Sequence, residues 1–373
     1  MTDLELALYQ RVHIRLQHLP TSHNSVVCAR LGHFLVAPGH HPADVLCAPM
    51  PEGAAVLRHL APKVAPQQVT TVWFEGRRVL FYSHRGDPDL ILDPGTPIRL
   101  FVARRAGVVK RFYNALLFAI HLSATRHGGL LLHAAALRDP AGRTALVLGP
   151  RRSRKTHLTL QLLHQGWDYL ADDKLLLLDR RAHLFERRLI IRRHHLGALP
   201  WLATRLDHPS APLMVRSHRL RRLLERLQHQ AARHIDEKLQ PRLQPLLDPA
   251  ATCDLSQVFP DNRILSSARP DALFILAPGV DLDCVPLAPA TQLSQLVAIE
   301  QLYLAGMGPL DAMSRYAAPE TAPPELSTLL AENLGEIPGF MLSLPEQAPA
   351  SRLGAYLAAQ LAATRPGATP CPD

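Results

Sequence analysis

One stretch, residues 144–173, TALVLGPRRSRKTHLTLQLLHQGWDYLADD, constrains this chain more than any other. A β-rich apolar run ends at Gly149, a short basic loop carries Lys155 and Thr156, an amphipathic segment runs to Gly166, and a second apolar run closes on Asp172 and Asp173. The order is strand, loop, helix, strand, carboxylates. A loop that enters a helix N-terminus presents backbone N–H groups to an anion; a lysine beside it meets phosphate charge and a hydroxyl can hold Mg²⁺. Lys155 and Thr156 are of those types, and Asp172 and Asp173 are of the type that can serve as a metal ligand and a base. Read against G-x-x-x-x-G-K-[ST], the eight positions are Gly149, Pro150, Arg151, Arg152, Ser153, Arg154, Lys155 and Thr156. Arginine therefore stands where the second glycine normally lets backbone approach a pyrophosphate without a Cβ in the way. The competing reading is a buried strand–helix–strand unit whose basic turn is merely solvated, and Arg154 is its best support.

Just upstream, GGLLLHAAALRDPAGRTALVLG places His133 in an apolar strand, with Asp139, Pro140 and Gly142 turning the chain into the next. Residues 133–173 resemble the HPr kinase/phosphorylase family and its smaller serine-kinase relatives. That family carries a histidine strand, G-x-S-G-x-G-K-[ST], a helix ending in glycine and an apolar strand closing on D-D. The chain matches at His133, Gly149, Ser153, Lys155, Thr156, Gly166, Asp172 and Asp173, and departs at Arg152 and Arg154, where the family has glycines. ALFILAPGVDLDCVPLAPATQLSQLV and PGFMLSLPEQAPASRLGAYLAAQLAA look like the family's late strand–helix and closing strand–helix, extending the likeness over 112–363. The resemblance implies an α/β fold with a P-loop, HPr-kinase/PEP-carboxykinase-like core, and ATP and Mg²⁺ as cofactors. It further implies that Gly149, Ser153, Arg154, Lys155 and Thr156 bind nucleotide and that Thr156 and Asp172 hold the metal. Asp173 would take a hydroxyl proton, with Asp172 and His133 in the same site. The larger HPr kinases assemble, so a homo-oligomer is open.

The rest of the chain bounds these expectations. Its 373 residues, 47% hydrophobic, supply an ample core. Five cysteines lie scattered without a C-x-x-C pair, which reads as reduced thiols of a cytoplasmic protein. No apolar window reaches the roughly 18 residues of a membrane span, so no membrane association is expected. The formal charge of +9 concentrates in arginines over 180–233. Without interleaved aromatics, helix-turn-helix or zinc spacing, that run suits a solvated or acid-binding face better than nucleic acid.

Residues 1–98 read as a small mainly-β N-terminal domain, its runs NSVVCARLG, HFLVAP and PDLILD broken by Pro, Gly and Asp, with a hairpin turning at Glu75 and Gly76. His40 and His41 sit in a loop. Residues 99–363 form the nucleotide-binding unit, entered by a helix with Phe112, Leu116, Leu117 and Ile120 on one stripe and stopped by Gly128 and Gly129. A basic amphipathic arm is expected over about 206–247, a connector over 317–324 and a loose tail over 364–373. Two functional classes follow: phosphoryl transfer from ATP to a serine or other hydroxyl of a peptide or small protein, its acceptor region acidic; or a non-catalytic scaffold of the same ancestry. A polyanion binder acting through the arm is the third.

Overall fold

A computed structural model describes residues 3–39, 41–52, 69–84, 87–104, 108–150, 153–206, 250–306, 325–345 and 350–363. The arm expected over 206–247 lies, beyond Leu206, outside the described residues, as do Arg151, Arg152, the connector over 317–324 and the tail. The chain is mixed α/β, with sheets of eight, six, four and two strands.

The eight-stranded sheet runs in the order β3-β1-β2-β4-β8-β7-β6-β5. Its members are β1 (Leu4–Leu8), β2 (Val12–Leu16), β3 (Leu35–Val36), β4 (Val45–Pro49), β5 (Val69–Phe74), β6 (Arg77–His84), β7 (Asp87–Asp93) and β8 (Ile98–Val102). Strands β5 and β6 form the expected hairpin, with Glu75 and Gly76 both at positive φ, as a two-residue turn requires. The boundary expected at residue 98 falls later: Ile98, Leu100 and Val102 alternate inward, and β8 is sandwiched between β4 and β7.

A second correction concerns NSVVCARLG. Its Val26-Val27 pair favours a strand, yet α1 (Thr21–Leu31) is helical, because His23, Val27 and Leu31 recur every four residues and all three are buried. The following helix, α2 (Val109–Arg126), ends as expected at Gly128, which has φ +75°. Gly129 must stay glycine: a Cβ there would come within 2.3 Å of the Leu177 carbonyl.

Beyond α2 the leucine runs explain themselves. Strands β9 (Leu130–Leu132) and β13 (Leu175–Leu178) pair within the four-stranded sheet β17-β14-β13-β9, whose other members are β14 (Arg181–Leu184) and β17 (Ser267–Ala268). Leu130, Leu132, Leu175 and Leu177 point into one core, while Leu131, Leu176 and Leu178 point into another, shared with α1, α2 and the eight-stranded sheet. A strand buried on both faces loses the polar alternation of a half-buried one. The first unit is thus fused to the rest through a common core, which includes α2.

The six-stranded sheet has the order β12-β10-β11-β18-β20-β19. It comprises β10 (Ala134–Arg138), β11 (Thr144–Leu148), β12 (Asp168–Ala171), β18 (Ala272–Pro278), β19 (Asp283–Pro286) and β20 (Gly339–Leu344). Strands β11, β18 and β20 are parallel; β10 is antiparallel to both β11 and β12, so β11 and β12 point the same way. Helix α3 (Lys155–His164) follows β11 and is buried almost all round, against β10 and against the closing helix, Ala350–Ala363. Gly166, φ +84°, terminates it. Strands β15 (Arg188–Arg192) and β16 (Ala250–Asp254) make the two-stranded ribbon, and α4 (Arg193–Ala198) and α5 (Pro200–Arg205) follow β15. Among the described residues the remaining α-helices are α6 (Leu255–Val258), α7 (Pro289–Gly306), α8 (Leu326–Leu334) and α9, the closing helix. Among the described residues no helix is long and apolar enough to cross a membrane. Cys28, Cys47, Cys253 and Cys284 are free thiols.

Candidate functional site

The site forms where the chain leaves one sheet for another. His133 is the single residue between β9 and β10, and Asp172, Asp173 and Lys174 span the gap between β12 and β13. The first crossing passes from the four-stranded to the six-stranded sheet and the second passes back, and the register brings them side by side: Ala134 pairs with Leu148 and Ala136 with Ala171. His133, Gly149 and Asp172 therefore occupy one edge of three neighbouring strands, at the C-terminal ends of β11 and β12. Strand ends of this kind are where open α/β sheets collect ligands.

The loop after β11 is tightly drawn. A Cβ on Gly149 would meet Ser153 Oγ at 2.6 Å and Leu276 Cβ at 3.1 Å, so only glycine lets the loop fold back on itself. Arg154 sits in the left-handed region, φ +73° and ψ 19°, at the N-cap of α3. The backbone thus keeps a conformation natural to glycine although the residue bears a side chain. That side chain leaves the loop: Nη1 donates to the Pro345 carbonyl at 2.6 Å, just past β20. Two substitutions separate strain from contact. Arg154→Ala and Arg154→Gly both lose this bond, but only alanine retains the Cβ, so the glycine variant should be more stable than the alanine variant by about 1 kcal/mol in chemical denaturation.

Lys155 is buried, and its Nζ donates to the Gly149 carbonyl at 2.6 Å and the Pro150 carbonyl at 3.4 Å. It stands close enough to Asp172, His133 and Glu300 to act on the proton affinity of all three. Thr156 Oγ1 donates to Asp172 Oδ2 at 3.0 Å. Burial pushes the Asp172 carboxyl up to about 6, against the neighbouring Thr159 and Thr156 hydroxyls. Asp173 is different. Burial again works against its charge, but Lys174 and His133 outweigh it and hold the carboxyl well below its usual range. Its Oδ1 lies 3.1 Å from His133 Nε2, Lys174 Nζ donates to its Oδ2, and its side chain is still 42% exposed. Burial keeps His133 neutral, so Nε2–H is the donor to Asp173 and Nδ1 the acceptor.

Every described residue expected at the site, His133, Gly149, Ser153, Arg154, Lys155, Thr156, Asp172 and Asp173, converges on this edge, although Arg154 turns its guanidinium outward. Four further groups belong to it. Glu300, on α7 and 1% exposed, accepts the His133 backbone N–H at 3.2 Å, and burial pushes its carboxyl up to about 8. Tyr303, one helical turn on, stacks flat on the His133 ring at 4.1 Å. Lys174 and Glu186 complete the set. The i, i+3 spacing of Glu300 and Tyr303 puts them on one face of their helix, but nothing local ties that face to His133.

Could these residues hold a polyphosphate and Mg²⁺? Ser153 Oγ, Asp172 Oδ1 and His133 Nδ1 are buried and find no hydrogen-bond partner among the described residues, a cost a ligand would remove. The Thr156 hydroxyl and Asp172 carboxylate are hard oxygen donors that suit Mg²⁺ when phosphate oxygens and water complete its shell. Among the described residues no group of three or more His, Cys, Asp or Glu side chains is gathered to hold a metal. The donor set fits.

Compared with known proteins, the chain matches no family model, and no curated protein matches it.

Proposed function

We infer that the chain is an ATP-dependent kinase-like protein of the HPr-kinase-related type, which transfers a phosphoryl group to a serine or other hydroxyl of a peptide or small protein. One observation carries this reading: the 149–156 loop keeps a glycine-like turn at Arg154 and delivers Lys155 and Thr156 to the same strand edge as Asp172, Asp173 and His133. The proposal includes the finer fold, a P-loop, HPr-kinase/PEP-carboxykinase-like core, and a cytoplasmic setting.

Bound at this loop, Mg·ATP would supply the phosphoryl group. Lys155 would exchange its carbonyl partners for phosphate oxygens, with Ser153 Oγ and the loop N–H groups beside it. Thr156 and Asp172 would hold the metal. Asp173, ionised, open to solvent and fixed by two donors, would accept the acceptor's hydroxyl proton, and neutral His133 keeps it aimed. An acidic acceptor suits the guanidinium groups of Arg154 and Arg192, which stand beside His157 and His195, two imidazoles that burial first, and then these arginines, keep neutral. Nucleic acid remains the poorer partner, and assembly into a homo-oligomer is open.

The non-catalytic reading has its own support: Arg154 is tied to Pro345 and Lys155 is bent onto its own loop, the posture of a loop that has stopped turning over nucleotide. Incubation with γ-labelled ATP, Mg²⁺ and an acidic serine peptide library separates the two. The kinase reading expects label on serine, lowered at least 100-fold by Asp173→Asn with nucleotide affinity kept. Nucleotide binding with no transfer to any peptide would favour the scaffold.

A further inference from the structure

Asp173 belongs to a chain of contacts that ends far from the loop. Lys174 Nζ, on a residue 9% exposed, donates to Asp173 Oδ2 and lies 3.9 Å from Glu186 Oε1. Glu186, equally buried, follows β14 closely in sequence. The Tyr113 hydroxyl, from α2, donates to its Oε1 at 2.7 Å, and Arg30 Nη1, from the last turn of α1, reaches its Oε2 at 3.4 Å. Arg30 also covers the Tyr113 ring, 4.7 Å from its centroid. The Tyr169 hydroxyl donates to the Glu186 backbone carbonyl at 3.2 Å, so the backbone of Glu186 is held as well as its carboxylate.

A carboxylate has about four lone-pair positions. His133 takes one on Oδ1 and Lys174 one on Oδ2, which fixes the plane of a side chain that otherwise sits on an irregular crossing between two sheets. The exposed remainder is then the only direction from which a hydroxyl can approach. Lys174 in turn is a long side chain with several rotamers, and Glu186 is what selects one of them. Glu186 is selected by Arg30 of the N-terminal unit and by Tyr113 of α2, which packs on it. None of these contacts is local: Arg30 and Glu186 are 156 residues apart, and Tyr113 and Glu186 are 73 apart.

We propose that Lys174 is a positioning residue for Asp173, and that the N-terminal unit sets its place through Arg30, Tyr113 and Glu186. The consequence for turnover rests on the kinase reading above; the coupling itself does not. Anything that moves the C-terminal end of α1 therefore moves the carboxylate at the strand edge.

The test uses the full-length protein and the partly exposed Arg30, whose substitution the fold should tolerate. A histidine Nε2–H held by a carboxylate gives a slowly exchanging downfield proton resonance, assigned to His133 by its loss in His133→Gln. Arg30→Met and Glu186→Gln should shift or broaden that resonance, and Arg30→Lys should restore it. With Mg·ATP and acceptor, Arg30→Met should lower kcat at least tenfold while the ATP dissociation constant stays within twofold, and Arg30→Lys should recover most of the loss. A native resonance and native kcat in Arg30→Met would overturn the proposal. If the native protein shows no turnover, the kinase reading fails and the resonance alone decides: a shift in Arg30→Met still supports the coupling, and an unchanged signal removes it. Lys174→Met, should it fold, is expected to lose the resonance outright.

Discussion

Glu300→Gln is expected to stabilise the protein most strongly in alkaline solution and to flatten its stability across the pH range from about 4.5 to 8. In the unfolded chain this carboxyl ionises near 4.5; in the folded protein burial pushes it up to about 8, although the His133 N–H and Lys155 favour its charged form. Between those values the folded state holds a proton that the unfolded state has given up. Since the pH slope of the unfolding free energy follows protons bound when unfolded minus protons bound when folded, the slope is negative throughout the window. The contribution is thus complete below 4.5 and is lost progressively as pH rises through 8. At about 1.4 kcal/mol per tenfold change in proton affinity, the loss by pH 9 amounts to up to roughly 5 kcal/mol. Glutamine keeps an acceptor for the His133 N–H and has no proton to give up. Denaturant titrations of both proteins at pH 5 and pH 9 measure it: near-coincidence at pH 5 and a stability gain of a few kcal/mol for the variant at pH 9. Asp172, pushed up to about 6, adds a smaller loss of the same sign at lower pH.

Removal of residues 1–102 is expected to abolish folding rather than release a smaller kinase-like domain. Helix α2 packs on α1, β2, β4 and β8 as well as on β9, and its Phe112, Leu116, Ala119 and Ile120 are completely buried. Deletion bares that side of the helix, along with much of the face formed by Leu131, Leu176, Leu178 and Phe185. Each large apolar side chain returned to water costs about 1.5–3 kcal/mol. Several together reach the 5–15 kcal/mol that holds a whole domain folded. The truncated chain should accumulate in the insoluble fraction. A soluble fragment with a cooperative transition near that of the full chain would show that the shared core matters far less than its burial implies.

What was legible in the sequence, and what was not, divides along sequence distance. The strand, loop, helix and strand of 144–173 could be read because each boundary is local: Gly149 must be glycine for close approach, Gly166 has positive φ at a helix end, and the apolar runs are continuous where both faces are buried. Asp172 lies in the same stretch, and His133 in the apolar run just before it. Glu300 and Tyr303 could not be read, since they reach His133 from 167 and 170 positions away along the chain, on a helix whose sequence looks like plain core. Lys174 opens the apolar run KLLLLD with no local sign of a partner; only the fold shows it buried between Asp173 and Glu186. Residues 21–31 were misread because β-branched valines promote a strand locally, while burial of His23, Val27 and Leu31 against α2 decides for a helix. Arg154 is the sharpest case. Sequence says the glycine is gone, and the backbone adopts its conformation regardless, held by the side chain's bond to Pro345.

That compromise at Arg154 makes nucleotide binding the point on which the functional account turns. The direct measurement is calorimetric titration of the native protein and of Lys155→Ala with Mg·ATP at neutral pH. The account predicts saturable binding at up to millimolar nucleotide for the native chain, and a loss of at least tenfold in affinity when the lysine ammonium is removed. Absence of heat from both proteins, or equal affinity in both, would contradict it.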